Sequence, residues 1–240
     1  MNESIPKVLR DDILSVVEEV KSKLGDKLES IVLSGGLVKN KIVKETDRVQ
    51  LMFVVHEVSI ELLDLASEAL AGKRAKQIQA TILTRSDLES STDVFPIRFL
   101  DMQQDYELLH GEDVIESLSI SRDNLRLRCE QEIKNLLLKQ RRVYLGFREN
   151  PQAMEAMLLR GYFSFLQSGD ALAELITGKV YRNDDEVVEA IGEIGLDASL
   201  MKRISGLRSG DSLGDSAAIK KTAGEFMVMI EKAAKLADEL

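Results

Sequence analysis

Apolar residues at Leu9, Ile13, Val16, Val17, Val20 and Leu24 recur every three or four positions, which places them on one face of a helix over residues 6–24. Gly25 follows, at the position where helices commonly end. The period then changes. "LESIVLS" at 28–34 is a short buried strand running to Gly35 and Gly36, and "VQLMFVVHE" at 49–57 is nearly continuous in apolar character, as expected of a strand covered on both faces. A helix over 60–71 and a third strand, "KQIQATILT" at 76–84, continue the alternation. "SDLESSTD" at 86–93 begins with a Ser/Asp turn and suits a short helix. "VFPIRFLDM" at 94–102 reads as a fourth strand, near a sheet edge because Pro96 has no N–H for the ladder.

From about Ser121 the helical period takes over. Leu125, Cys129, Ile133, Leu136 and Leu137 mark a long helix, followed by helices at 151–167, 169–177, 184–194, 198–207 and 216–239. Gly146, Gly178, "YRNDD" and "RSGDSLGDS" punctuate them. The pattern therefore predicts an α+β protein: a mixed-sheet domain with flanking helices over residues 1–120, then an all-helical bundle domain over residues 121–240.

Composition narrows the chemistry. The 240 residues, 44% of them hydrophobic, suffice for a core in each domain. A net charge of −9 argues against a general nucleic-acid binder, which needs a basic footprint to displace counterions. Cys129 is the single cysteine, so no intrachain disulfide forms, and with only His56 and His110 beside it a thiolate or imidazole metal site is not expected. No apolar run is long enough to span a bilayer, and the N-terminus lacks the charged-then-apolar order of a signal peptide, so a cytoplasmic protein without membrane attachment is expected.

"LSGG" at 33–36, a polar connection, and the apolar strand starting near Arg48 resemble the core motif of the nucleotidyltransferase superfamily that includes DNA polymerase beta and the aminoglycoside nucleotidyltransferases. "LGDKLESIVLSGG", "FPIRFLDM", "LLHGEDV" and the helix from Asp123 resemble bacterial two-domain members whose C-terminal domain is helical, like that of kanamycin nucleotidyltransferase. The resemblance covers most of the chain. It implies transfer of a nucleoside monophosphate from a triphosphate to a hydroxyl, with magnesium at the reacting phosphate. In such sites glycines let the backbone approach phosphate oxygens. Two carboxylates one residue apart on a strand point to one face and hold divalent cations. A third carboxylate on a neighbouring strand usually completes the set.

The carboxylate pair is missing here. With Asp47 taken as the first ligand, Arg48 falls on the core face and Val49 in the second ligand position. The neighbouring register keeps Val49 and Leu51 in the core and puts Arg48 and Gln50 on the catalytic face, which preserves burial. Arg98, mid-strand in "FPIRFLD", stands where a third carboxylate would be, and Asp101 lies three residues later. A guanidinium repels a divalent cation and can hold phosphate bidentately.

The leading expectation is a nucleotidyltransferase-fold protein that lacks metal-dependent transfer and acts as a nucleotide- or anion-binding or regulatory module. No cofactor is expected, and Ser34, Gly35, Gly36 and Arg48 are the candidate ligand-binding residues. One alternative is a live transferase using magnesium on displaced ligands, Glu45, Asp47 or Asp101. Another is a structural or antitoxin-like partner protein, self-associating or bound to another chain through Leu136, Leu137, Phe163 and Phe165. Lys39, Lys41 and Lys44 read as a solvated basic loop, His56 as the end of a strand and His110 as part of a loop.

Overall fold

The computed structural model describes residues 5–39, 48–71 and 77–240. The chain forms two compact units, Met1–Ile120 and Ser121–Leu240. The first unit runs α1 (Lys7–Leu24), β1 (Leu28–Ser34), the one-turn α2 (Gly36–Lys39), β2 (Val49–Val55), α3 (Ile60–Leu70), β3 (Ile78–Thr84), α4 (Arg85–Val94), α5 (Pro96–Gln104) and β4 (Tyr106–Gly111).

The strands form one mixed sheet in the order β3-β2-β1-β4. β1 is antiparallel to both β2 and β4, while β2 and β3 are parallel, as a connection through α3 allows. The strand period of two separates the faces of β2. Val49, Leu51, Phe53 and Val55 pack with Ile31 and Leu33 against Leu9, Ile13 and Val17 of α1 and Leu62 and Ala66 of α3. On the opposite face Met52, Val54 and Val32 meet Leu88 of α4, Phe99 and Met102 of α5, and Val114 and Ile115. Both sides of β2 are therefore covered, which explains its nearly continuous apolar run. Gln50 is the exposed residue within it.

Residues 94–102 are not a strand. Pro96 occupies the first turn of α5, where its missing N–H has no helical partner to lose, and Ile97, Phe99 and Met102 are buried from there. The fourth strand is Tyr106–Gly111, so His110 lies in a strand rather than a loop. α4 starts behind a reciprocal cap. The Thr84 hydroxyl accepts from the Asp87 N–H at 3.0 Å, and the Asp87 carboxylate accepts from the Thr84 N–H at 2.9 Å.

The second unit contains α6 (Arg122–Phe147), α7 (Pro151–Thr177), α8 (Asp184–Glu193), α9 (Ala198–Ser205) and α10 (Ser216–Asp238). α6, α7 and α10 pack on one another, and α8 and α9 pack against α7. Side-chain caps from Ser121, Asn150, Asn183, Asp197 and Asp215 start these helices. α7 is a single helix where the pattern suggested two. Gly169 does not break it: a Cβ there would lie 3.0 Å from the Ile191 Cδ1, so glycine admits the close approach of α8. α6 likewise continues through Gly146. Leu136, Leu137, Phe165 and Met229 are buried core residues, which leaves Phe163 as the one partly exposed member of the expected interface set.

Candidate functional site

The turn after β1 is built from Ser34, Gly35 and Gly36. Ser34 is buried at the strand end. Gly35 has φ +80, a left-handed conformation that side chains disfavour, and its carbonyl accepts from the Val38 N–H at 3.0 Å to close the turn into α2.

Strand register brings four side chains into a row across the sheet. Ser34 pairs with Gln50 on β2 and with Tyr106 on β4, and Gln50 is aligned with Gln79 on β3. The row therefore reads Gln79, Gln50, Ser34, Tyr106, on the face that also carries Met52 and Val54. Gln50 and Gln79 are exposed, and Arg48, two residues before Gln50 and also exposed, extends the same face. The Gln50 Oε1 stands 2.6 Å from the position a Cβ on Gly35 would take, so the amide lies directly against the glycine turn.

At the far end of the row, the Tyr106 hydroxyl donates to the Asp113 Oδ2 at 2.7 Å. Burial, reinforced by that carboxylate, pushes the phenol up to about 12, so Tyr106 stays neutral. Asp113 is fixed in turn, its Oδ1 accepting from the N–H groups of Ile115 at 3.2 Å and Glu116 at 3.1 Å.

Several expected site residues sit elsewhere. Arg98 and Asp101 both belong to α5, so neither is presented by a strand, and Arg98 does not occupy a third ligand position on a strand of the sheet. Glu45, Asp47, Lys41 and Lys44 lie outside the described residues. Gln79 is the residue that reading the sequence missed. It occupies the strand position level with Gln50, which only the β2–β3 register identifies. His56 is exposed, with its Nδ1 3.9 Å from Glu29, and that carboxylate is already held by Arg85, whose Nε donates to it at 2.7 Å.

The donor set decides what this face can hold. One guanidinium and two carboxamides at Arg48, Gln50 and Gln79 offer hydrogen-bond donors and a positive charge, but no anionic oxygen for magnesium. A divalent cation does not fit them, whereas an oxyanion does.

A mixed sheet entered through a glycine turn, followed by a helical unit, gives this chain a nucleotidyltransferase-like, two-domain α+β fold. Among solved structures it is similar to the spectinomycin adenyltransferase AAD(9) from Enterococcus faecialis, determined with ATP and spectinomycin, at a TM-score of 0.53 and 15% identity over 95% of this chain and 99% of that one. No protein-family model and no curated protein matches the sequence. Among the described residues, no helix is long and apolar enough to cross a membrane.

Proposed function

We propose that this protein is a metal-independent nucleotide- or phosphate-binding module built on a nucleotidyltransferase-like fold, without transferase chemistry. One observation carries the reading: Gln79 is level with Gln50 on the face that Arg48 extends, so a guanidinium and two amides stand together beside the glycine turn, two of them at positions where the resemblance calls for carboxylates. The glycine turn beside them keeps a backbone geometry suited to phosphate oxygens. ATP in the similar adenyltransferase structure makes a nucleoside triphosphate the natural probe.

In this reading the Arg48 guanidinium pairs with phosphate oxygens, supplying the positive charge that a metal supplies in an active transferase. The Gln50 and Gln79 amides donate to neighbouring oxygens. Among the described residues, Arg48, Gln50 and Gln79 carry no carboxylate to hold a metal or accept a proton from an attacking hydroxyl, so in this reading the bound phosphate is held and not transferred.

The test is calorimetric titration of the full chain with ATP and GTP, with magnesium and in excess chelator. Equal affinity under both conditions, with no labelled nucleotide passed to any added hydroxyl compound, is the expected result. Magnesium-dependent transfer would overturn the proposal in favour of displaced ligands among Glu45, Asp47 and Asp101.

A further inference from the structure

Between α4 and the segment 112–119 the first unit holds a cavity of about 270 Å³. It lies at the end of the sheet away from the glycine turn, where Arg85, at its edge, follows β3 and is tied to Glu29 of β1 and to Glu112 beyond β4. One wall is apolar: Leu88 and Val114 belong to the core on this side of the sheet, and Leu118 packs against it. The other lining groups include Glu89, Ser117 and Ser119, all exposed. The sheet face that Leu88 and Val114 cover also carries Ser30, level with Val54, fully buried and with no hydrogen-bond partner for its hydroxyl. Such an unmatched group is of the kind that an entering ligand or water satisfies.

Charge decides what such a space takes. α4 and the segment 112–119 carry the carboxylates of Asp87, Glu89, Asp93, Glu112, Asp113 and Glu116 against a single cation, Arg85. That guanidinium is already committed, its Nε donating to the Glu29 Oε1 at 2.7 Å and its Nη2 to the Glu112 Oε2 at 2.7 Å. An anion therefore finds no uncommitted positive charge in the lining. The Glu89 carboxylate has no ion-pair partner among the described residues. Among the same residues no three His, Cys, Asp or Glu side chains are grouped to hold a metal ion, so the cation that suits this place is an organic one. The volume lies just below the roughly 300–1,000 Å³ of typical ligand pockets, which limits the guest to about one ring and a short chain.

We propose that this cavity binds a small organic ammonium ion with an apolar body. The body rests against Leu88, Val114 and Leu118, where removing it from water drives binding. The ammonium group stays at the mouth, partly hydrated and beside the Glu89 carboxylate, so the charge is paired without being buried. The surrounding carboxylates add a negative potential that favours cations over neutral or anionic molecules of the same shape. The site is separate from the face carrying Arg48, Gln50 and Gln79, and it does not depend on nucleotide binding there.

Methyl NMR on the full chain tests this with three matched probes: phenethylamine, the neutral 2-phenylethanol and the anionic 3-phenylpropionate. Phenethylamine should shift the methyl signals of Leu88, Val114 and Leu118 saturably, with a millimolar dissociation constant. The neutral probe should bind there about threefold or more weakly, and the anion more weakly still. Glu89→Gln, at an exposed position, should remove the preference for the amine while leaving the circular dichroism spectrum unchanged. Ser117→Phe, also exposed, should fill the space and abolish the shifts for all three probes. In the wild type, salt at about 1 M should bring the amine and the alcohol to similar affinity. No saturable shifts at these methyls, equal affinity for the amine and the alcohol at low salt, or an amine preference untouched by Glu89→Gln would each overturn the proposal.

Discussion

The Gln50 carboxamide occupies the space that a side chain on Gly35 would need, with its Oε1 2.6 Å from an ideal Cβ position. Two separate penalties therefore meet Gly35→Ala. The backbone must hold φ +80 with a Cβ present, at about 1–2 kcal/mol, and the end of Gln50 must move aside. Since the amide ends a flexible side chain, the backbone penalty dominates. Gly35→Ala should lower stability by about that amount in urea unfolding. Adding Gln50→Ala should recover only a small part of it, and a double-mutant cycle reads the coupling directly.

Arg48 should contribute more to ligand binding than either amide. A hydrogen bond to a charged group contributes about 1.5–3 kcal/mol, so Arg48→Ala should weaken nucleoside triphosphate binding at least tenfold, and Gln79→Ala by less. Restoring acids reverses the preference. Arg48→Asp/Gln50→Asp/Gln79→Glu should bind manganese saturably and more tightly than the wild type does, measured by the paramagnetic effect of manganese on water relaxation. A triple variant indifferent to manganese would show that these three positions do not converge.

How legible these features were depends on what sets each one. β1 and β2 could be read from the chain because both faces of the central strands are buried, which leaves an apolar run that no other local structure explains. α5 looks like a strand in the sequence because Ile97 and Phe99 alternate as strand residues do. Only the burial of Met102 three residues after Phe99, with Pro96 in the first turn, reveals the helix. Removing that strand removed Arg98 from the site. Gln79 could not be found beforehand, because the register of a parallel pair is set by packing of the intervening helix and not by any turn sequence. Ser34, Gly35 and Gln50 were accessible, since the glycine turn and the burial of Val49 and Leu51 fix their places.

Two helical glycines in the second unit should respond in opposite directions. A Cβ on Gly161 of α7 would lie 2.4 Å from the Gln140 Nε2 of α6 and 2.9 Å from the Phe226 Cε1 of α10, and both neighbours are buried. Phe226 also stacks edge-on against Phe165 at 6.1 Å, so it has little room to retreat. Gly161→Ala should destabilise by about 1–3 kcal/mol through overpacking. Gly224, inside α10, has open space at its Cβ position. Gly224→Ala should stabilise by roughly 0.5–1 kcal/mol, since alanine loses less backbone entropy in a helix. Chemical denaturation of the two variants side by side checks both signs.

Cys129 links stability to alkaline pH. Its thiol is fully buried between α6 and α7 and donates to the Ser168 carbonyl at 3.2 Å. Burial, with Glu130 and Glu132 nearby, pushes the thiol up to about 12 from its ordinary value of 9.0. The unfolded chain therefore releases this proton first as pH rises. Above the unfolded value the denatured state binds fewer protons than the native one, so the stability this group contributes is complete below about pH 9 and is lost progressively towards pH 12. Tyr106, also shifted to about 12 by burial, adds a decline of the same sign beginning near pH 10. Cys129→Ala removes the thiol contribution and leaves that of Tyr106. Urea midpoints measured from pH 8 to 10.5 should fall less steeply for the variant than for the wild type, and an identical slope would show that Cys129 does not carry the effect. The same burial predicts that a thiol reagent labels Cys129 only as fast as the second unit opens.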